Sequence, residues 1–223
     1  MVYDFHTHTF LSDGVLSPSG LAREALVRGY KAIAITDHVG AGNLEPVLKV
    51  LIKECEAISR SWDILAIPGV EITHVPKGTI DELARQAKAM GAKIVVVHGE
   101  TMAEPVEPGT NLAALQCPYV DVLAHPGLIS EKEAELAAKN RIFLELSSRR
   151  GHSLTNGLVA QRALLAGANL VLNSDAHDVP DLLTRELAHR ITFGAGVPEK
   201  QVSKVLQENP LALLRRLGLI SER

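Results

Sequence analysis

The chain reads as an α/β protein whose parallel sheet is covered by helices. Short β-branched runs alternate with longer stretches at helical spacing, and the runs are apolar almost throughout rather than at every second residue. No linker, low-complexity segment or sharp change of composition breaks the series. Continuous apolar strands are buried on both faces, which calls for helices on the sheet. Seven such units can close into a barrel or open into a doubly wound sheet, and periodicity does not choose between them.

In chain order, Val2–Phe5 opens as a strand and Leu16–Arg28 follows as a helix, with Pro18 near its start and Gly29 just past its end. Lys31–Thr36 is the second strand and Leu44–Arg60 the second helix. Ile64–Ile72 holds the third strand, interrupted or bent at Pro68 and Gly69. Thr79–Met90 is a helix with Asp81 and Glu82 near its positive end. Lys93–Val97, Val120–Ala124, Ile142–Leu146 and Leu170–Leu172 are strands four to seven. Helices at Glu131–Lys139, Thr155–Ala166 and Asp181–Arg190 fall between or after them, and Pro198–Gln207 and Pro210–Leu217 close the chain. The 223 residues fit a single domain, 1–223, with its C-terminal helices beginning at about 198.

Composition excludes several classes. An apolar share of 46% and a charged share of 22% match globular norms of about 45–50% and 25%, so disorder, collagen and coiled coil are out. Lys and Arg number 23 against 26 Asp and Glu, a net charge of −3, and aromatics make up 4%. Neither the charge nor the scarcity of stacking platforms suits a nucleic-acid binder. No apolar run approaches the ~20 residues of a membrane span, and MVYDFHTHTF lacks the pattern of a signal peptide. Cys55 and Cys117 belong to no paired spacing, which leaves no disulfide framework and no thiolate zinc site. A soluble, cytoplasmic protein without a membrane partner is expected; oligomeric state is open.

Nine histidines stand out by position. In a parallel α/β fold the working groups gather past the C-terminal ends of the strands. His6, His8 and Asp13 follow strand one, and Asp37 and His38 follow strand two. Glu71 and His74 end strand three, His98 and Glu100 strand four, and His125 strand five. Arg149, Arg150 and His152 follow strand six, and Asp175 and His177 strand seven. Only His189 falls in a helix. Singly, each motif has a bland reading: a chance His-x-His, a surface turn, a satisfied buried histidine. Scattered core histidines would not sort to one edge.

The ordered segments HTHTFLSDG, ITDH, PGVEIT, VVHGE, LAHPG and NSDAH resemble the PHP family, named for polymerase and histidinol phosphatase domains, over nearly the whole chain. VVVHGET and LELSSRRGHSLTNG are similar to a small, barrel-only branch. The resemblance implies a distorted seven-stranded (β/α) barrel, related to the TIM barrel. It also implies three divalent ions. By resemblance His6, His8, Glu71 and Asp175 hold the first, Glu71, His98 and His125 the second, with Glu71 bridging, and Asp13, His38 and His177 the third. The third residue of the opening motif is His in some members and Asp in others; here it is Asp13, which bears on the affinity of the third ion.

Imidazole and carboxylate donors suit zinc, manganese or iron. Three such ions against three carboxylates leave the cleft positive, which draws an anion despite the negative net charge. The expected activity is metal-dependent hydrolysis of a small phosphate monoester, as by a histidinol phosphatase. Attack by a hydroxide held between two ions proceeds without a covalent enzyme intermediate. Asp175, His177 and Glu71 are the catalytic candidates, and Arg149, Arg150 and His152 those for substrate binding; His152 and His177 are also candidates for protonating the leaving group. A solvated basic turn explains the arginine pair as well. Asp37 is expected to orient the loop or a ligand, His74 to sit in the loop, and Glu100, Glu107 and Asn111 to shape the pocket or lie in solvent. Arg185 fits a surface helix. The alternatives are a nuclease or nucleotide phosphatase on the same ions, an amidohydrolase-like hydrolase, and a structural metal-binding domain. No Lys ends a strand, as the carboxylated lysine of many amidohydrolases would require.

Overall fold

In the computed structural model, which describes residues 1–221, the apolar runs become strands and the runs at helical spacing pack on their outer side. The strands are β1 (Val2–Asp4), β2 (Tyr30–Ile35), β3 (His38–Val39), β4 (Leu65–Ile72), β5 (Ile94–His98), β6 (Val122–Ala124), β7 (Phe143–Ser147) and β8 (Leu170–Asn173). All but β3 pair in the order β1-β2-β4-β5-β6-β7-β8, every pair parallel. These seven strands form a nearly closed barrel. The helices are α1 (Pro18–Val27), α2 (Leu44–Ser61), α3 (Ile80–Ala89), α4 (Thr110–Gln116), α5 (Glu131–Asn140), α6 (Asn156–Ala166), α7 (Arg185–Gly194), α8 (Glu199–Ser203) and α9 (Asn209–Arg216). Among the described residues no helix is long and apolar enough to cross a membrane.

Closure falls between β1 and β8, where side chains replace part of the ladder. The Phe5 amide donates to Asn173 Oδ1 at 2.9 Å, and the Ser174 amide to Asp4 Oδ1 at 3.1 Å. Beyond them the backbones meet: Asp175 N donates to the His6 carbonyl at 2.9 Å and His8 N to the Ala176 carbonyl at 2.8 Å. Asp4 also accepts from the Tyr30 hydroxyl at 3.3 Å, and burial pushes its carboxyl up to about 6. The seam that closes the barrel therefore delivers His6, His8 and Asp175 to one place.

Alternation along the strands makes two cores. Outward residues such as Ile33, Val70, Val95, Leu144 and Leu172 pack under the helices. Inward residues Ala34, Ile67, Ile94, Val96, Ala124, Phe143 and Val171 fill the barrel with Phe5. Leu213 and Leu214 of α9 join that inner cluster, while Arg216 reaches Asp121, just before β6, at 2.8 Å. Helix α9 thus plugs the end where the strands begin, and leaves the other end to polar side chains.

Several elements differ from expectation. Pro68 and Gly69 do not break β4; they lie where it changes partner, from β2 (Ile35 beside Pro68) to β3 (His38 beside Glu71). The expected helix from Asp181 starts later, at Arg185: Asp178 and Asp181 cap a separate short 3-10 turn, and Thr184 caps α7 through the Leu187 amide. The penultimate helix is α8 followed by a π-helical turn, Lys204–Glu208. Helix α4 and strand β3 were not legible, being seven and two residues long.

Gly69 lies on the inner face between Ile67 and Glu71, where a Cβ would stand 2.5 Å from Ile94 Cγ2 and 2.9 Å from the Ile94 carbonyl. Gly69→Ala is expected to destabilise the chain by about 1–3 kcal/mol through overpacking. Leu213→Ala, which empties the plug, should cost about 2–5 kcal/mol. Urea unfolding with midpoints equal to the parent's would contradict this account of the inner core.

Candidate metal centre

The inner face turns from apolar to polar as each strand nears its C-terminal end. Ile67 and Gly69 lead to Glu71, Ile94 and Val96 to His98, Phe143 to Glu145, and Val171 to Asn173 and Asp175. His125 breaks the alternation: Ala124 already faces inward, and a left-handed backbone at His125 (φ 26°) turns the next side chain back to the same side. Asp175 (φ 54°) and His74 (φ 50°) share this uncommon conformation, and local strain of this kind concentrates at functional sites.

At the base of the site, His6 Nδ1 lies 2.8 Å from Glu145 Oε2, which also accepts from Asn173 Nδ2 at 2.8 Å. That contact orients the ring and aims Nε2 into the barrel mouth. There it stands 3.2 Å from Glu71 Oε1 and 3.8 Å from Asp175 Oδ1, while His8 Nε2 is 3.2 Å from Asp175 Oδ1 and 3.7 Å from Glu71 Oε2. His125 Nε2 is 3.7 Å from both Glu71 Oε1 and Asp175 Oδ2. Nearer the rim, Asp13 Oδ1 sits 3.4 Å from His38 Nε2 and 3.1 Å from His177 Nε2. His8 stacks on His38, ring centroids 4.1 Å apart.

These spacings test whether metal ions fit. His6 Nε2, both ring nitrogens of His8, His125 Nδ1 and Glu71 Oε1 are buried without a hydrogen-bond partner. An unsatisfied buried polar atom costs about 1–3 kcal/mol, so such a group calls for something to fill it. Two ligands about 2.1 Å from a shared ion at a tetrahedral angle stand about 3.4 Å apart, close to the separations seen. Donor atoms of His6, His8 and Asp175 form one suitable group, those of His6, Glu71 and His125 another, and those of His8, Asp13, His38 and His177 a third. All nine residues expected as ligands converge on this mouth, His98 included, at 4.5 Å between its ring centroid and that of His125.

Charge is finely divided among them. Burial opposes a charge on His6, yet Glu71, Glu145 and Asp175 hold its pKa well above the usual value. Burial likewise opposes charge on His38, but Glu71 and Asp13 raise it to about 10. Burial and neighbouring imidazoles keep His8 and His125 well below the ordinary range. Burial lifts Asp175 to about 7, whereas His6 and His38 overcome the same effect at Glu71 and hold it well below a normal carboxyl.

A cavity of about 360 Å³ opens above these groups, walled by Asn43, His74, Glu104, Arg149 and His152 among others. Arg149 Nη1 lies 2.7 Å from His177 Nδ1 and 3.2 Å from the Asp175 carbonyl. Arg150 is exposed and does not line the cavity. Asp37 accepts from the Thr9 amide and hydroxyl and from Ser12, at 2.6–2.8 Å, and so pins the loop that carries Asp13. Glu100 accepts from the Gly109 and Asn111 amides at the start of α4, Asn111 returns an acceptor to the Glu100 amide, and Glu107 accepts from the Lys77 amide. Arg185 opens α7 and does not line the cavity.

Sequence reasoning missed Glu145 and Glu104. Glu145 had a signal: it is the one charge in the strand FLELS and shares the parity of inward Phe143. Glu104 had none. It comes from the loop after β5, 3.0 Å from His74 Nε2 and 3.1 Å from His98 Nε2, and these contacts draw its pKa down to about 2.

The model of the PHP domain matches residues 4–140, and the chain belongs to that family. It is 45% identical to an uncharacterized protein of Methanocaldococcus jannaschii, over 97% of this chain and all of that one. A probable phosphatase of Caldanaerobacter subterraneus subsp. tengcongensis is 30% identical over 91% of this chain and 86% of its own. In structure the chain is similar to histidinol phosphate phosphatase of Lactococcus lactis, solved with zinc, L-histidinol and phosphate. That match has a TM-score of 0.62 and 15% identity, covering 88% of this chain and 94% of the other. At that identity it speaks for the fold alone.

Protons and cations compete for these nitrogens. His6 and His38, with raised pKa values, carry protons at neutral pH in the metal-free chain and must release them to offer lone pairs. Affinity for Zn²⁺ or Mn²⁺ is therefore expected to rise from pH 6 to pH 8, by up to about tenfold per unit for each proton displaced. Calorimetry in buffers of different ionisation enthalpy would show proton release; a pH-independent affinity would contradict the charge assignment.

Proposed function

We propose that the chain is a metal-dependent phosphatase acting on a small phosphate monoester, with three divalent ions, zinc, manganese or iron, at the barrel mouth. His6, His8, Glu71 and Asp175 are assigned to the first ion, Glu71, His98 and His125 to the second, and Asp13, His38 and His177 to the third. The observation that carries the reading is the set of buried, partnerless imidazole and carboxylate atoms at ligand spacing beneath an open cavity. When bound, such ions supply an acidified water and neutralise charge on phosphoryl oxygens.

The chain's own groups do the rest. Glu145 keeps His6 in one orientation, and Asp37 holds the Thr9–Asp13 loop against the site. Arg149 stands at the wall beside Asp175 and His177, where its guanidinium can take a phosphoryl oxygen. Asn43, Val39 and His74 face the body of the substrate. A cavity of this size lies near the low end of the ~300–1,000 Å³ common for small-molecule sites, which favours a compact ester over an extended strand.

The test is a panel of phosphomonoesters, histidinol phosphate and nucleoside monophosphates included, beside short oligonucleotides, with metal-reconstituted protein. Turnover of one monoester is expected, with His6→Ala and Asp175→Ala abolishing it. Arg149→Ala should lower kcat/KM by about 10–100-fold, the loss of one charge-assisted hydrogen bond of about 1.5–3 kcal/mol. Cleavage of oligonucleotides with no monoester turnover would replace this reading with the nuclease one.

A further inference from the structure

The nine residues assigned above, six imidazoles and three carboxylates, leave out a seventh imidazole at the same place. His152 opens a short 3-10 turn, His152–Thr155, after β7, and is only 4% exposed. Its ring lies on that of His125, centroids 4.1 Å apart and planes 15° from parallel, and edge-on to His98 at 5.9 Å. Its Nδ1 is 2.7 Å from the Thr101 hydroxyl, on the loop after β5. With that nitrogen engaged, Nε2 faces the centre, 3.7 Å from Asp175 Oδ2 and 3.5 Å from Glu104 Oε1.

We propose that His152 is a metal ligand, completing with His98 and His125 a three-imidazole site opposite Glu71, and that Thr101 is its positioning residue. One donor atom from each of the three histidines lies within 4.8 Å of the others, the same compactness as in the groups already described. His98 ends β5, His125 directly follows β6 and His152 lies on the turn after β7, so three neighbouring strands lead to them. A hydrogen bond to the far ring nitrogen is how proteins fix the tautomer and direction of a ligating histidine, and Thr101 supplies it. A side chain kept for gripping phosphate alone would have no need to stack flat on His125 with Nδ1 held by Thr101. Three neutral imidazoles also set this position apart from the first, which has two carboxylates. It suits borderline ions such as Zn²⁺, Co²⁺ or Fe²⁺ better than Mg²⁺ or Ca²⁺.

This rests on the reading that the mouth holds ions, and its test separates the two. The full chain, stripped by chelation, is titrated with Co²⁺ and Zn²⁺, following stoichiometry, affinity and the visible absorption of bound Co²⁺. His152→Ala is expected to retain one ion fewer per chain after gel filtration, or to bind it at least ~100-fold more weakly, with an altered Co²⁺ spectrum. Thr101→Val should keep the stoichiometry and weaken that ion by about tenfold. His152→Ala with parental stoichiometry, affinity and spectrum would overturn the proposal whatever its effect on turnover. If circular dichroism shows metal-free His152→Ala unfolded, Thr101→Val decides, and a parental affinity there overturns it. A parent chain that binds no ion would instead remove the functional reading itself.

Discussion

Burying imidazoles and carboxylates side by side, with no hydrogen-bond partner for several of their inward atoms, is the constraint around which this chain is built. Neutral packing would never select it, since each such atom gives up water and gains nothing from the protein. Glu71, His6, His8 and Asp175 sit at 0–2% exposure, with each of the two imidazoles 3.2–3.8 Å from both carboxylates. The opposed shifts among neighbours, His6 up and His8 down, Asp175 up and Glu71 down, show groups that cannot all hold their usual charge in so small a volume. A cation is the simplest partner for all of them at once.

The barrel makes that arrangement affordable. Its lower half is dry: Phe5, Ile67, Ile94, Phe143 and the α9 leucines form a continuous inner core. Its upper half carries the polar atoms on the same inward positions of the same strands. The β1–β8 seam links the halves, because the Asp4 and Asn173 side chains that bond Ser174 and Phe5 lie directly below His6 and Asp175. Loosening the seam would move His6 and Asp175, side chains from two strands, together. Around the rim, Asp37 fixes one loop and Thr101 and Glu104 bring another over the site, so loops complete what the strands begin.

Much of this was legible in the residues. The seven barrel strands, the positions of most helices and the sorting of eight histidines to one edge follow from local periodicity, because a strand buried on both faces must be apolar until it ends. Pro68-Gly69 looked like an interruption because a proline lacks a ladder donor, yet β4 passes through it by exchanging β2 for β3. Glu145 could have been found by parity with Phe143; Glu104 could not, since a glutamate in a polar loop carries no period. His125 shows the opposite case, where alternation would have sent the ring outward and a left-handed φ reverses it.

What the chain determined by itself is the list of chemical groups and the edge at which they gather, since both depend on residue type and on periods of two and 3.6. Tertiary structure alone decided which atoms face one another: that Glu145 backs His6, that Arg149 reaches His177 while Arg150 turns to solvent, and that His152 lies flat on His125. Those contacts join residues as far as 139 positions apart, and distances of that kind are set by how a barrel closes rather than by any local pattern.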